Sequence, residues 1–229
     1  MVYAEDWDLL IEQVIKKTYP LADGSGRVMK PVLTLCDSGG SGEKKKGKQK
    51  SSSVTDHAYQ FYNRLKGHGL SHLFRLVKGA SRDIDDLVKE TYPDKRSKLA
   101  NGEIPLLMLH TNRLKNRVAA SFSRLEFGAR FFHLPGWADR VWFDELTVEY
   151  IDELGHWQKP DGARNESFDL CAYAEAGMHY KGGDDIHWDN PPAWAADWQF
   201  NSNVVDADQT PKFERVARRR YNHSKGIFG

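Results

Sequence analysis

The chain has 229 residues, 40% of them hydrophobic and 12% aromatic, which is enough for one good-sized core with irregular ends. Its 33 Lys and Arg residues nearly balance 32 Asp and Glu residues, so a formal net charge of +1 excludes a global field that would attract nucleic acid. No apolar run is long enough for a membrane span, and the acidic, polar opening does not resemble a signal peptide. Cys36 and Cys171 lie far apart in apolar contexts, which indicates buried thiols in a reducing, cytoplasmic protein.

The first two predicted elements are a helix and a strand. Trp7, Ile11 and Ile15 recur at helical spacing, so about the first fifteen residues are predicted to form an amphipathic helix. No strand precedes this helix, which indicates that the first strands of the sheet are missing or lie elsewhere. Met29 to Cys36 is mostly apolar, as expected of a buried strand that stops at the turn Asp37 to Gly40.

The middle of the chain alternates between loops and regular elements. The lysine-rich residues 41–53 have almost nothing that packs and are predicted to form a loop. Helical periodicity resumes over Thr55 to Lys66, and Leu73 to Val77 is predicted to be a strand. Residues 79–101 are polar and loop-like, and Ile104 to Leu109 is a third candidate strand.

Helical periodicity dominates the rest of the chain up to its basic end. The predicted elements are a basic helix over Thr111 to Leu125, a brief edge segment at Phe131 to Pro135, an acidic helix or hairpin over Phe143 to Leu154 and a helix over Glu166 to about Tyr180. Alternating strands and helices predict an α/β domain over residues 1–200. Residues 201–229, with Lys212 to Arg220, are predicted to form a basic C-terminal tail.

Asp37 is the first candidate site residue. It directly follows an apolar strand, and open α/β sheets bind ligands at the carboxyl ends of their strands. Ser38, Gly39 and Gly40 allow the backbone to turn away and leave room for a phosphate or a hydrated ion. The alternative is that Asp37 only bonds its own backbone in a turn.

Asp169 is the second candidate. Asp169, Ala172, Tyr173 and Ala176 share one face of the last helix by their spacing. Small alanines let that face approach a sheet, so Asp169 is predicted to point inward and to need a partner or a metal. Glu166, one turn earlier, is a second or alternative ligand. The alternative for Asp169 is a first-turn carboxylate that favours the helix dipole.

Three other sequence patterns give only weak indications of a functional site. Gly42 to Gln49 nearly matches a phosphate-binding loop, but Gln49 replaces the Ser or Thr that holds magnesium, so no ATP site is predicted. His68 and His72 are separated by the helix-breaking Gly69, which disfavours a zinc pair. Residues 184–189 contain three aspartates and a histidine, which favours a polar linker over a cation site.

Read in order, several phrases resemble the nuclease region of lambda-like, GpA-type phage terminase large subunits. They are Val32 to Gly40, Thr55 to Phe61, Val77 to Gly79, Leu114-Lys115, Phe132 to Pro135, Leu146 to Glu149 and Arg164 to Asp169. The most specific pair is the strand ending in Asp-Ser-Gly-Gly with the late Arg-Asn-Glu-x-x-Asp helix. The resemblance covers about residues 5 to 200.

This resemblance implies a fold similar to RNase H and a nuclease that uses acidic residues with Mg²⁺ or Mn²⁺ to cut concatemeric viral DNA. By position, Asp37 and Asp169 correspond to two catalytic, metal-binding acids, with Glu166 as a further metal ligand. The family's leading catalytic aspartate is expected before the N-terminal helix, and the ATPase domain is also absent. The resemblance therefore implies a sheet truncated at its first strands, with an isolated chain that is weakly active or inactive.

The leading hypothesis is phosphodiester hydrolysis in the host-cell cytoplasm with two cations roughly 4 Å apart. Asp56 is a reserve ligand, and Lys78, Lys115, Lys45 and Arg219 are predicted to contact the DNA backbone. Double-stranded viral DNA, a terminase small subunit and a portal are the partners that the resemblance implies. One alternative is a non-catalytic piece that binds DNA or a packaging partner through its Trp-rich end and basic tail. Another is a decayed prophage fragment that folds poorly.

Overall fold

The computed structural model describes residues 4–39, 54–93, 102–128, 130–134, 136 and 138–209. Its strands are β1 (Tyr19–Pro20), β2 (Arg27–Met29), β3 (Thr34–Asp37), β4 (Phe74–Gly79), β5 (Val88–Thr91), β6 (Leu106–Leu109), β7 (Tyr150–Ile151), β8 (Trp157–Gln158) and β9 (Val204–Asp206). Its α-helices are α1 (Val54–Gly67), α2 (Thr111–Phe122), α3 (Arg140–Leu146) and α4 (Glu166–Tyr180). The lysine-rich segment 41–53 and the basic stretch 212–220 lie outside the described residues.

A mixed four-stranded sheet forms the centre of the fold, in the order β3-β4-β6-β5. Strands β3, β4 and β6 are parallel, whereas β5 pairs antiparallel with β6. Strand β6 is entirely apolar, and β4 buries Phe74, Leu76 and Val77, as expected of inner strands whose two faces are covered by helices. The prediction of an α/β fold with a helix-flanked sheet is confirmed. Its relation to RNase H and its truncation stay predictions.

Strand alternation divides the core between two sheet faces. Phe74 and Leu76 of β4 pack with α1 on one face, whereas Val77 of β4 packs with Leu114 of α2 and Ala176 of α4 on the other. Because side chains alternate along a strand, every second residue faces the same layer. Leu35 of β3 packs in the α4 layer, so Asp37, two residues later, is directed to the α4 side.

The N-terminal segment is helical but irregular. It comprises a 3₁₀-helix, Ala4–Asp8, and a π-helical turn, Ile11–Ile15. Trp7, Ile11 and Ile15 are buried in the α1 layer, and the Trp7 and Phe61 rings lie 5.6 Å apart. The apolar stripe predicted for this segment is therefore buried by α1 and the sheet face beneath it.

Two strand predictions need correction. The apolar run Met29 to Cys36 is not one strand, since Met29 ends β2 in a sheet with β1 and β9, and only Thr34–Asp37 joins the central sheet. The segment 79–101, predicted to be loop, contains the polar edge strand β5. Val88 is the one apolar residue of β5, so the strand carries little hydrophobic signal, and its pairing with β6 decides its structure.

The later elements agree better with prediction. The alternatives for 143–154, helix or hairpin, both occur in sequence, because α3 ends at Leu146 and β7 and β8 form a hairpin after it. Residues 131–134 form no strand, and Phe132 instead packs against the cluster of α2, α3 and α4. Helix α4 has its predicted bounds and is followed by Gly182 at φ 74°, a conformation that favours glycine.

No helix among the described residues is both long and apolar enough to cross a bilayer. Both cysteines are free thiols, but only Cys171 is buried and Cys36 is half-buried. Burial raises the pKa of each thiol to about 11. The thiols are therefore protonated at neutral pH and unsuited to nucleophilic chemistry.

Candidate active site

Asp37 stands at the carboxyl end of β3, where the chain turns away from the sheet. The Ser38 amide and hydroxyl both donate to the Val77 carbonyl of β4, at 2.9 and 3.0 Å. The Gly39 amide donates to the Asp37 Oδ1 at 2.6 Å. The turn interpretation and the strand-end interpretation therefore both describe this residue, because only one carboxylate oxygen is used by the turn.

Helix α4 comes close to β3 beside Asp37. Ala172 and Ala176 are fully buried, and a Cβ on Gly177 would lie 3.2 Å from the Leu35 Cδ1. Small side chains on this face allow the close approach, as the sequence predicted. The approach brings the Tyr173 hydroxyl within 3.2 Å of the second Asp37 oxygen, Oδ2, to which it donates.

Tyr173 links the three predicted carboxylates electrostatically. Burial raises the pKa of its hydroxyl first, and the negative charges of Asp37 and Asp169, the hydrogen bond to Asp37 and the charge of Glu166 raise this pKa further. The hydroxyl stays protonated and is a fixed donor to Asp37. Tyr173 therefore contacts Asp37 directly, and the charges of Asp169 and Glu166, on the same helix, act on its hydroxyl.

Asp169 belongs to a network that is mostly buried. Its Oδ1 lies 2.7 Å from the Lys115 Nζ, and its Oδ2 accepts from the Asn165 amide at 3.0 Å. Lys115 also contacts the Glu149 Oε1 at 2.6 Å, and Asn165 donates to the same oxygen. Asp169 points inward with a partner, as predicted, and does not only complement the helix dipole.

Lys115 differs from its expected role. Its side chain is 7% exposed and its ammonium is held between two carboxylates, so it is not placed for a DNA phosphate. Lys78 is exposed at the end of β4, as a backbone contact requires. Lys45 and Arg219 lie outside the described residues.

The remaining candidate ligands are less central. Glu166 is exposed on the first turn of α4. Asp56 lies on the first turn of α1, where its charge helps to raise the pKa of Tyr59 after burial. Among the described residues, no three or more His, Cys, Asp or Glu side chains form a group able to hold a metal ion. The carboxylates share a neighbour but are not arranged as a three-ligand cage.

A separate charged cluster joins α2 to α4. Arg117 and Arg130 both pair with Glu175, at 2.5 and 2.6 Å, and Asp184 contacts both arginines and His179. The hydrogen bond from Arg117 lowers the pKa of Asp184 to about 2, with His179 adding to the effect. Asp184 is therefore committed to ion pairs, in agreement with the preference for a structural role in residues 184–189.

The Trp-rich end is partly open. Trp188 and Trp198 are 66% and 42% exposed, whereas the Trp194 ring lies 5.8 Å from the Lys181 Nζ. Exposed tryptophans are available for contact with a partner, but the basic tail that was predicted to act with them is not described.

A mixed sheet flanked by helices, with Asp37 at the end of a parallel strand and Asp169 on the neighbouring helix α4, is consistent with a nuclease domain. The family model for the endonuclease domain of the terminase large subunit gpA matches residues 1–188. The chain belongs to this family, which confirms the resemblance and ties the chain to the nuclease of a viral DNA-packaging terminase. No curated protein and no solved structure gives a match.

Proposed function

We propose that the chain is the divalent-metal-dependent endonuclease part of a phage terminase and cuts concatemeric viral DNA. The observation that carries this proposal is the Tyr173 bridge, which joins Asp37 at the end of β3 to the helix that bears Asp169 and Glu166. Family membership supports the nuclease class. The bridge supports these particular carboxylates as its acidic residues.

The donor set suits a hard cation. Asp37, Asp169 and Glu166 offer carboxylate oxygens, the ligands that Mg²⁺ and Mn²⁺ prefer. Glu149 adds a buried oxygen, Oε2, with no hydrogen-bond partner among the described residues, which leaves local negative charge uncompensated. Cations bound there would supply an activated water and would stabilise the departing oxygen of the phosphodiester.

The chain's own residues hold and orient these groups. Tyr173 directs one oxygen of Asp37, while the Gly39 amide holds the other. Lys115 and Asn165 each hold one oxygen of Asp169. Lys78 is exposed near the end of β4, one residue after Val77, which is in register with Asp37. Alternation along β4 directs Lys78 to the α1 side of the sheet, opposite to Asp37, and we assign it to the phosphate backbone.

Double-stranded viral DNA is the substrate in this proposal, and the terminase small subunit and the portal are its packaging partners. The DNA contacts are sequence-independent, since phosphate neutralisation by Lys78, Lys45 and Arg219 carries no base information. Binding should therefore weaken steeply with ionic strength.

Nicking of supercoiled plasmid with Mn²⁺ tests the proposal in the full chain. We expect Asp37→Asn to lower the nicking rate by about 100-fold or more, because a metal ligand contributes at least as much as the residues that orient it. Its unfolding free energy should change by less than about 0.5 kcal/mol, since the side chain is exposed. Asp161→Asn, at an exposed aspartate on the turn before α4 that has no role in the proposed site, is the matched control and should nick like wild type. Equal nicking by Asp37→Asn, or no metal-stimulated nicking by wild type, would contradict the proposal.

A further inference from the structure

Glu149 is a buried acid that neither turn chemistry nor helix capping explains. It follows α3 and precedes β7, and its side chain is 3% exposed. A carboxylate so far removed from water is costly unless its charge is compensated and its oxygens are hydrogen-bonded. Within the part of the chain that the structure describes, the Oε1 meets that condition, through Lys115 and Asn165, whereas the Oε2 does not.

The charge around Lys115 is unbalanced. One ammonium contacts two carboxylates, Glu149 at 2.6 Å and Asp169 at 2.7 Å. With both acids ionised, Lys115, Glu149 and Asp169 together carry one uncompensated negative charge. The charges of Asp37 and Glu166, which also act on Tyr173, add to this negative charge. Excess negative charge in a partly buried place favours a bound cation.

The hydrogen bonds couple Glu149 to Asp169 and to no other predicted ligand. Lys115 and Asn165 each contact both carboxylates. A change at Glu149 is therefore transmitted to both oxygens of Asp169. Residues that orient a ligating carboxylate commonly contribute 10- to 100-fold to metal affinity.

We propose that Glu149 is a positioning residue of the cation site, which, through Lys115 and Asn165, orients Asp169 and supplies the negative charge that raises divalent-metal affinity. This inference rests on the proposed metal-dependent function. It adds a residue to the site, and it assigns Lys115 to holding Asp169 rather than to binding DNA.

The inference is tested separately from catalysis by measuring the affinity of the full chain for Mn²⁺, without DNA, by calorimetric titration. Glu149→Gln keeps the shape and removes the charge, and we expect it to weaken Mn²⁺ binding at least about tenfold. Glu153→Gln makes the same charge change on the exposed turn of the β7-β8 hairpin and should bind like wild type. Glu149→Asp, which restores the charge, should bind more tightly than Glu149→Gln.

The outcomes separate the two proposals. If Asp169→Asn weakens Mn²⁺ binding while a folded Glu149→Gln binds within twofold of wild type, Glu149 is a neutral structural group and this inference is overturned. If wild type itself does not bind Mn²⁺, or if Asp37→Asn and Asp169→Asn both bind Mn²⁺ with unchanged affinity, the proposed metal-dependent function is contradicted, independently of Glu149. Should Glu149→Gln not fold, Asn165→Ala removes the amide that joins the two carboxylates without changing charge. Unchanged Mn²⁺ affinity in folded Asn165→Ala would also overturn the inference.

Discussion

The two ends of the candidate site are built differently. Asp169 is held by a lysine that is 7% exposed and an asparagine that is buried, whereas Asp37 is exposed at the tip of the outer strand β3. Lys115 compensates charge at the Asp169 end, whereas Asp37, as far as the described ranges extend, accepts hydrogen bonds from the Gly39 amide and the Tyr173 hydroxyl without a cation.

Because of this difference, substitutions at the two ends of the site should affect stability to different extents. A buried ionic network loses much when one partner is removed, because the remaining charge stays out of water. An exposed carboxylate loses little, since water replaces its hydrogen bonds. Substitutions at the Asp169 end should therefore act mainly on folding and ligand orientation, and those at Asp37 mainly on chemistry.

The largest expected effect is that of Lys115→Met. Removing the ammonium leaves Glu149 and Asp169 facing each other without compensation, which should lower the unfolding free energy by about 3 to 5 kcal/mol. Urea denaturation followed by circular dichroism measures the change. Lys78→Met, an exposed lysine on β4, is the control and should change stability by less than about 0.5 kcal/mol. Equal stability of the two variants would remove the contrast between the ends of the site.

A smaller effect is expected at the partly exposed Asp184 cluster. Because the pKa of Asp184 is lowered from 3.8 to about 2, its ionised form stabilises the fold above pH 4, and this stabilisation is lost as the pH falls through about 2. Asp184→Asn should cost about 1 to 2 kcal/mol at pH 7, less than full conversion of the pKa shift, because solvent screens the pairs. Unfolding curves between pH 7 and pH 2 should show the difference from wild type shrinking below pH 4. A constant difference would show that the ion pairs do not cause it.

The smallest effect is expected for the Tyr173 bridge. A double-mutant cycle of Tyr173→Phe with Asp37→Ala should give a coupling free energy of about 0.5 to 1 kcal/mol, the net value of one hydrogen bond. Tyr150→Phe, at an exposed tyrosine of β7, is the control partner and should show no coupling with Asp37→Ala. Absence of coupling between residues 173 and 37 would mean that the bridge does not hold Asp37.

Much of the fold was predictable where periodicity was strong. Helix α4 has its predicted bounds, and its small residues face the sheet as their spacing indicated. The edge strand β5 was not predictable, because three of its four residues are polar and its structure depends on pairing with β6. The apolar run around β3 led to the wrong prediction of a single strand, since hydrophobicity alone does not indicate which sheet a residue joins.

The sequence indicated the candidate carboxylates of the site but not the residues that hold them in place. Asp37 and Asp169 were candidates because one follows an apolar strand and the other shares a helix face with small residues. Glu149 lies within a phrase that resembles the family, but nothing in its local pattern indicates burial. Lys115 lies on a basic helix, where lysine is usually solvated, so only packing reveals its ion pairs.

The amino-acid sequence by itself determined the α/β class and the family and indicated Asp37 and Asp169 as candidate acids, because these inferences depend on local periodicity and on the order of short motifs. Tertiary structure decided that Tyr173 bridges to Asp37 and that Lys115 faces inward between Glu149 and Asp169. The physical reason is that burial and charge compensation depend on residues that are far apart in the chain. These residues come into contact only when α2 and α4 pack on the sheet.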